Sequence, residues 1–315
     1  MDDVLLTRDL LEVGSTHFEL ATAVEKGRLE HVRRGAYARS PVADPVQAHR
    51  RLIAATLAQT HPGAVVSHTS AAVLHGLPVP RAAIEVVHLT RDRHGGGQRR
   101  AWLRVHGHPL PDGDVTVLAG VLATSLERTL VDVACTLPLT DAVAVADAGL
   151  RRGAGQTDLA EVLGGVGRRT GISRARRVLE LADATSESYG ESISRVVMIG
   201  HGLPRPLPQV SVFDRRQTFV GRTDFAWPEL GVVGEFDGRV KYGRDLAPGQ
   251  DLAEVLWREK LREDRLRELG WLVVRWIWSD LDPPQAWFDR LTRALEQGGH
   301  RPSPDGSWRA AARVP

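Results

Sequence analysis

Seven of the eight tryptophans fall in the last third of the chain: Trp227, Trp257, Trp271, Trp276, Trp278, Trp287 and Trp308, with only Trp102 before them. Rings of that size need a dense core to bury them, so the asymmetry predicts a separately packed C-terminal domain. At 315 residues the chain is long enough for two or three domains. The closing stretch from Gln297 to Pro315 mixes Gly, Pro, Ser and Arg and reads as a loose tail.

Composition excludes several classes. With 42% hydrophobic and 25% charged residues, wholesale disorder and collagen-like repeats are ruled out. The single cysteine, Cys135, rules out an intramolecular disulfide framework and a cysteine-rich zinc module. The opening MDDVLL carries acidic residues where a secretion signal needs basic ones, and no apolar run reaches membrane-spanning length. The expectation is a soluble, cytoplasmic protein without a membrane partner. Net charge is only +2, so no global field draws the chain to nucleic acid. The basic residues are almost all arginine, which suits bidentate phosphate contact, although a GC-rich genome produces the same bias.

Residues 5–38 read as a helix-turn-helix followed by a wing. Thr7 caps a helix through Val13, Gly14-Ser15 turns, Ser15 caps a second helix through Lys26, and Gly27 stops it. Ser15, Thr16 and His17 at that helix start are candidates for a major groove, with Arg33 and Arg34 of the following hairpin on phosphate. Glu19 and Glu25 on the same helix count against phosphate contact, and protein contact is the alternative role of such a module. Residues 46–180 read as mixed α+β, with helical patterns at 46–60, 69–75, 126–135, 139–152, 157–164 and 173–182 and strand-like runs at 83–90 and 101–108. His68, His75, His88, His106 and His108 lie in this stretch without a helical HxxxH pair tied to a suitable carboxylate. They are expected as scattered polar or core-edge residues.

The chemistry concentrates between Arg222 and Gly238. Strand-forming residues flank Pro228-Glu229-Leu230-Gly231, a turn-like tetrapeptide, which predicts a hairpin. With those four as the loop, Trp227 faces Val232, Asp224 faces Glu235, and Arg222 faces Asp237. Phe225, Trp227, Val232 and Phe236 form the core face, and the other face holds three carboxylates. Opposed carboxylates repel by roughly 0.2–1 kcal/mol when exposed and more when buried. A divalent cation, Mg²⁺ or Mn²⁺, reverses that sign by ligating Asp224 and Glu235. The alternative is neutralisation of Asp237 by Arg222 with solvent screening the rest. Glu191, in Ser188-Tyr-Gly-Glu191, fits a capping box at a helix start. A long helix from Leu252 to Leu269 carries Glu259, Arg262 and Glu263 within its apolar face, so Glu259 and Arg262 either face a cleft or form an internal salt bridge. Trp271 to Trp278 supplies a further strand.

Asp224, Glu235-x-Asp237-Gly238, Arg262-x-Asp264 and Gly270-Trp271-x-Val273-Val274-Arg275 resemble the very-short-patch-repair-like branch of the PD-(D/E)XK endonuclease superfamily, over about residues 185–296. The resemblance implies a mixed sheet flanked by helices, with Asp224 and Glu235 as metal ligands and Glu191 assisting. Asp237 stands where that family places a lysine; Lys241 or Lys260 are the candidates to replace it. Residues 1–180 are similar to actinobacterial AbiEi-type antitoxins through Arg33-Arg34-Gly35-Ala36-Tyr37, Ser67-His-Thr-Ser-Ala-Ala-Val-Leu-His75-Gly76-Leu77 and Thr124-Ser125-Leu-Glu-Arg128-Thr129-Leu-Val-Asp132. That implies a DNA-binding regulator opposite a nucleotidyltransferase-like toxin. The expected fold is therefore α/β and multi-domain: a winged helix-turn-helix over 1–45, an α+β antitoxin-like domain over 46–182, a nuclease-like domain over 183–296, and a tail over 297–315. Three functions compete: a Mg²⁺- or Mn²⁺-dependent DNA endonuclease, a non-catalytic antitoxin-type regulator that keeps a nuclease-like scaffold, and an interaction protein whose winged helix contacts another protein.

Overall fold

A computed structural model describes residues 3–60, 63–93, 96–238 and 252–311. Lys241 lies outside the described residues. The chain divides into two compact units, Met1–Ala182 and Asp183–Pro315, each mixing helices and sheet. Among the described residues no helix is long and apolar enough to cross a membrane.

The first unit opens with β1 (Val4–Leu6), α1 (Thr7–Glu12), α2 (His17–Glu25), β2 (Glu30–Arg33), β3 (Ala36–Ala38) and α3 (Pro45–Leu57). The strands form an antiparallel sheet in the order β1-β3-β2. Thr16, not Ser15, caps α2: its hydroxyl accepts from the Glu19 N–H, and the Glu19 carboxylate accepts from the Thr16 N–H. That reciprocal pair satisfies two otherwise unpaired donors. Residues 1–45 and 46–182, expected as separate domains, belong to one compact unit.

The rest of the unit comprises β4 (Val65–Val66), α4 (His68–Leu74), β5 (Val87–Arg91), β6 (Gln98–Arg100), β7 (Leu103–Gly107), β8 (Val115–Leu118), β9 (Val121–Thr124), α5 (Leu126–Thr136), α6 (Leu139–Arg151), α7 (Gln156–Gly165) and α8 (Ile172–Leu181). Its six strands run β6-β7-β5-β4-β9-β8, with β4–β9 and β5–β7 parallel. Ile53, Val66, Ala71, Val87, Leu89 and Val105 close the core between this sheet and α3 and α4. The histidines are not scattered as expected: His68, His88 and His106 converge inside the unit, because parallel β5 and β7 place two of them beside the start of α4.

The second unit comprises α9 (Tyr189–Gly200), β10 (Leu207–Phe213), β11 (Phe219–Trp227), β12 (Val232–Asp237), α10 (Leu252–Glu268), β13 (Leu272–Ile277), α11 (Gln285–Gly298) and β14 (Ser307–Arg309). The sheet order is β13-β12-β11-β10-β14; β12 and β13 are parallel, the other pairs antiparallel. Both sheet faces are covered. Phe225, Trp227, Val232, Trp276, Trp287 and Leu291 pack on the side of α9 and α11, while Val210, Val212, Ala226, Val233, Trp271 and Leu266 of α10 pack on the other. Trp276 stacks on Trp287 at 4.8 Å between centroids, and its indole N–H donates to Ser194 Oγ at 2.7 Å. Trp257, Trp278 and Trp308 are exposed, so four of the seven C-terminal tryptophans build the core. The expected tail includes β14, which pairs with Ser211–Phe213 of β10 and becomes the short edge strand of the sheet, and very short edge strands limit unwanted pairing.

Candidate active site

The hairpin register is the one its turn chemistry dictates. Pro228–Leu230 form a 3-10 turn and Gly231 takes φ +59°, a left-handed conformation that favours glycine. Trp227 pairs with Val232, Ala226 with Val233 and Phe225 with Gly234, which carries Asp224 to the position facing Glu235. There the backbone ladder gives way to a side-chain bond: the Phe236 N–H donates to Asp224 Oδ2 at 2.8 Å. Asp224 and Glu235 alternate with Ala226 and Val233, so they share the α10 side of the sheet. That side is a buried face that becomes polar only at this end.

A cleft of about 550 Å³ opens there, lined by Asp224, Glu235 and Asp237 from the ribbon and by Glu259, Lys260 and Arg262 from α10. Glu259 and Arg262 thus face the cleft and form an internal salt bridge at once. Arg262 grips Glu235 with two hydrogen bonds, Nη1 to Oε1 at 2.7 Å and Nη2 to Oε2 at 3.1 Å, and also donates to Glu259 Oε2 at 2.9 Å and the Arg222 carbonyl at 3.2 Å. Burial works against its charge, but Glu235 and Glu259 outweigh burial and raise its pKa. Arg275, beside Glu235 across the parallel pair, brings Nη2 to 2.7 Å from Glu235 Oε2; this is a charge contact without hydrogen-bond alignment. Arg222 is exposed and donates to Glu187 Oε2 at 2.6 Å.

Asp224 is the anomalous group. Its pKa is pushed up to about 7, first by burial and then by the Glu191 charge; the Phe236 N–H opposes this, and Glu235 adds to it. Glu191 sits in the first turn of α9. Its backbone N–H donates to Ser188 Oγ at 3.2 Å, but its carboxylate accepts from the Glu187 N–H and Gln209 Nε2, both at 2.9 Å, so only half of the expected capping box forms. Gln209 occupies the β10 position opposite Asp224, between the pairs Pro208–Phe225 and Val210–Thr223. Sequence reasoning missed Gln209, since nothing in Leu207–Phe213 distinguishes it from a core strand.

The candidate nucleic-acid residues divide. Thr16 and His17 are exposed at the start of α2, Ser15 is half-buried, and Arg34 is exposed. Arg33 is turned inward: Nη1 donates to Thr56 Oγ1 at 2.9 Å, and the guanidinium lies 3.3 Å over the Trp102 ring. Burial and then Arg100 lower its pKa to about 10. A register break between His31 and Arg33 interrupts the alternation of β2 and turns Arg33 to the core, which removes it from phosphate contact.

No protein-family model matches the chain. Two proteins of Mycobacterium tuberculosis, the uncharacterized proteins MT2308 and Rv2248, are each 35% identical to it over 186 residues, or 57% of this chain. The chain spans 64% of the length of each. The crystal structure of the RV2827C protein from the same organism matches 56% of this chain and 71% of its own, with a TM-score of 0.40 and 19% identity.

Proposed function

We propose that the second unit is a divalent-cation-dependent phosphodiester hydrolase acting on DNA, with Asp224 and Glu235 as the cation ligands. The observation that carries this reading is Asp224, a partly buried carboxyl crowded by the charges of Glu191 and Glu235 and held near neutrality in its proton affinity. A doubly charged ion relieves that crowding. The second unit's mixed sheet, covered by α9 and α11 on one face and α10 on the other, is compatible with the mixed sheet flanked by helices that the resemblance implies.

The donor set fits the ion. Carboxylate oxygens suit Mg²⁺ or Mn²⁺, which need one or two carboxylates together with water and substrate phosphate. When bound, such an ion polarises a phosphoryl oxygen and lowers the pKa of the attacking water. The chain's own residues do the rest. The Phe236 N–H fixes Asp224 Oδ2 and leaves Oδ1 for the ion. Glu191, tethered by Gln209, assists Asp224 electrostatically. Arg262 releases Glu235 and turns to the phosphate, and Lys260 at the cleft lip stabilises developing charge. Thr16, His17 and Arg34 of the first unit contact the duplex. The test is nicking of supercoiled plasmid by the full chain with Mg²⁺ or Mn²⁺. Asp224→Asn and Glu235→Gln should abolish it; equal cleavage by wild type and both variants would expose a contaminant and defeat the reading.

A second reading rests on one specific contact. Arg262 and Arg275 together neutralise Glu235, and Asp237 stands two residues on where a lysine is expected. On this reading the unit is a nuclease-like scaffold in an antitoxin-type regulator with a nucleotidyltransferase-like toxin as partner. It then binds DNA upstream of its own coding region without a cation, more weakly as salt rises, and does not cut.

A further inference from the structure

Neither reading uses the buried polar centre of the first unit. Two stretches singled out in the sequence, Ser67–Leu77 and Thr124–Asp132, meet there. His68 begins α4, Arg128 and Asp132 lie one turn apart on α5, and β5 and β7 add His88 and His106. One nitrogen from each of the three histidines lies within 4.8 Å of the other two. His88 Nδ1 and His106 Nε2 share a hydrogen bond of 3.0 Å, and the His68 and His106 rings stack at 3.7 Å. Two nitrogens held at about 2.0–2.1 Å by one tetrahedral zinc stand roughly 3.3–3.4 Å apart, so an ion that replaces the shared proton needs this pair to open by only a few tenths of an ångström.

A second feature points to a cation independently. Asp132 is fully buried. Its Oδ1 accepts from Arg128 Nε at 3.0 Å and Arg169 Nη2 at 2.7 Å. Its Oδ2 has no hydrogen-bond partner among the described residues and lies 3.8 Å from His68 Nδ1. Leaving such an oxygen unpaired costs about 1–3 kcal/mol or more. A neutral histidine stack accounts for the rings, tied to Ser67 Oγ through His68 Nδ1 at 2.9 Å, but it leaves Asp132 Oδ2 unexplained.

We propose that His68, His88 and His106 ligate one zinc-type transition-metal ion, with the Asp132 carboxylate behind His68. Imidazole donors select zinc, copper, nickel or iron over Mg²⁺, and a carboxylate behind a ligating histidine is a recurrent arrangement that orients the ring. Binding turns His68 or His106 out of their stack, since parallel rings cannot both aim a lone pair at one point. The burial of His68 and His88 makes the ion a structural clip joining α4 to β5 and β7, apart from the acidic cleft of the second unit.

The test uses the full chain, stripped with chelator and dialysed, then titrated with Co²⁺ and Zn²⁺. One Co²⁺ per chain should bind with visible d–d absorption, Zn²⁺ should displace it, and the first unit's thermal transition should rise. His88→Ala and His106→Gln, checked for native circular dichroism, should each weaken binding at least about 10-fold. A large excess of Mg²⁺, which carboxylates bind and imidazoles do not, should leave it unchanged, which separates this site from the cleft. A stripped, folded wild type that takes up neither ion overturns the proposal, as does equal uptake by wild type and a folded histidine variant. If both histidine variants unfold, the wild-type titration alone decides.

Discussion

Asp224 makes a prediction in pH. Its pKa in the folded chain, about 7, stands above the ordinary carboxylate value near 3.9. Between those values the native state holds a proton that the unfolded state has lost, so stability falls as pH rises through the window. Asp224→Asn removes the penalty. We expect the second unit to gain about 2 kcal/mol at pH 7.5 and to lose most of its pH dependence between 4 and 7 in thermal melts. The rise from an ordinary carboxylate value to about 7 converts to about 4 kcal/mol; the loss of the charge-assisted Phe236 bond offsets part of it. Arg262 makes a second. Arg262→Gln leaves Glu235 with a single cationic neighbour, and Mn²⁺ affinity in calorimetric titration should rise several-fold; an unchanged affinity means that the guanidinium does not compete with the ion. At this scale the facing of Asp224 and Glu235 was legible, because the two strands and the four-residue loop between them set the register. The inward turn of Arg33 was not, because it depends on a register break in β2 and on the ring of Trp102, which is distant in sequence.

At the scale of elements, close approaches decide what the second unit tolerates. Gly298, the last residue of α11, lies against the ribbon's turn: a methyl group there would stand 1.9 Å from the Leu230 carbonyl oxygen. Backbone cannot yield by that much without moving the helix. Gly298→Ala is expected to destabilise the unit by more than about 2 kcal/mol, read as a fall in its denaturant midpoint. Helices were the most legible elements. The patterns at 139–152 and 157–164 lie within a residue of α6 and α7 at each end, since apolar spacing reports burial directly. The strand β14 was illegible, because Ser307–Arg309 carries no alternation long enough to read and owes its conformation to the β10 edge. Removing residues 302–315 should therefore expose that edge and raise aggregation in light scattering while leaving the first unit's melt unchanged.

For the whole molecule, the two units should respond to acid in opposite directions. In the first, His68, His88 and His106 have folded pKa values below the unfolded value near 6.5. The unfolded state then binds more protons as pH falls from about 6.5 towards 4, so stability is lost on acidification, by up to about 1.4 kcal/mol per pH unit for each histidine. In the second, Asp224 gains stability over the same window. Scanning calorimetry at pH 7.5 and 5.5 should show the transition of Met1–Ala182 moving down and that of Asp183–Pro315 moving up. Parallel movement contradicts the burial of one set or the other.

Sequence alone determined the local geometry: helix positions, the hairpin register, the tryptophan-rich C-terminal core and the two acidic side chains that face each other across the ribbon. Each of these follows from spacing along a few consecutive residues, where backbone period and turn chemistry act directly. Tertiary structure alone decided which charges meet. Arg262 and Arg275 close on Glu235, Gln209 comes to face Asp224, and three histidines from separate elements collect beside a buried Asp132. These contacts depend on how helices cross the sheets and on burial, which strengthens a charge interaction only after distant segments have excluded water.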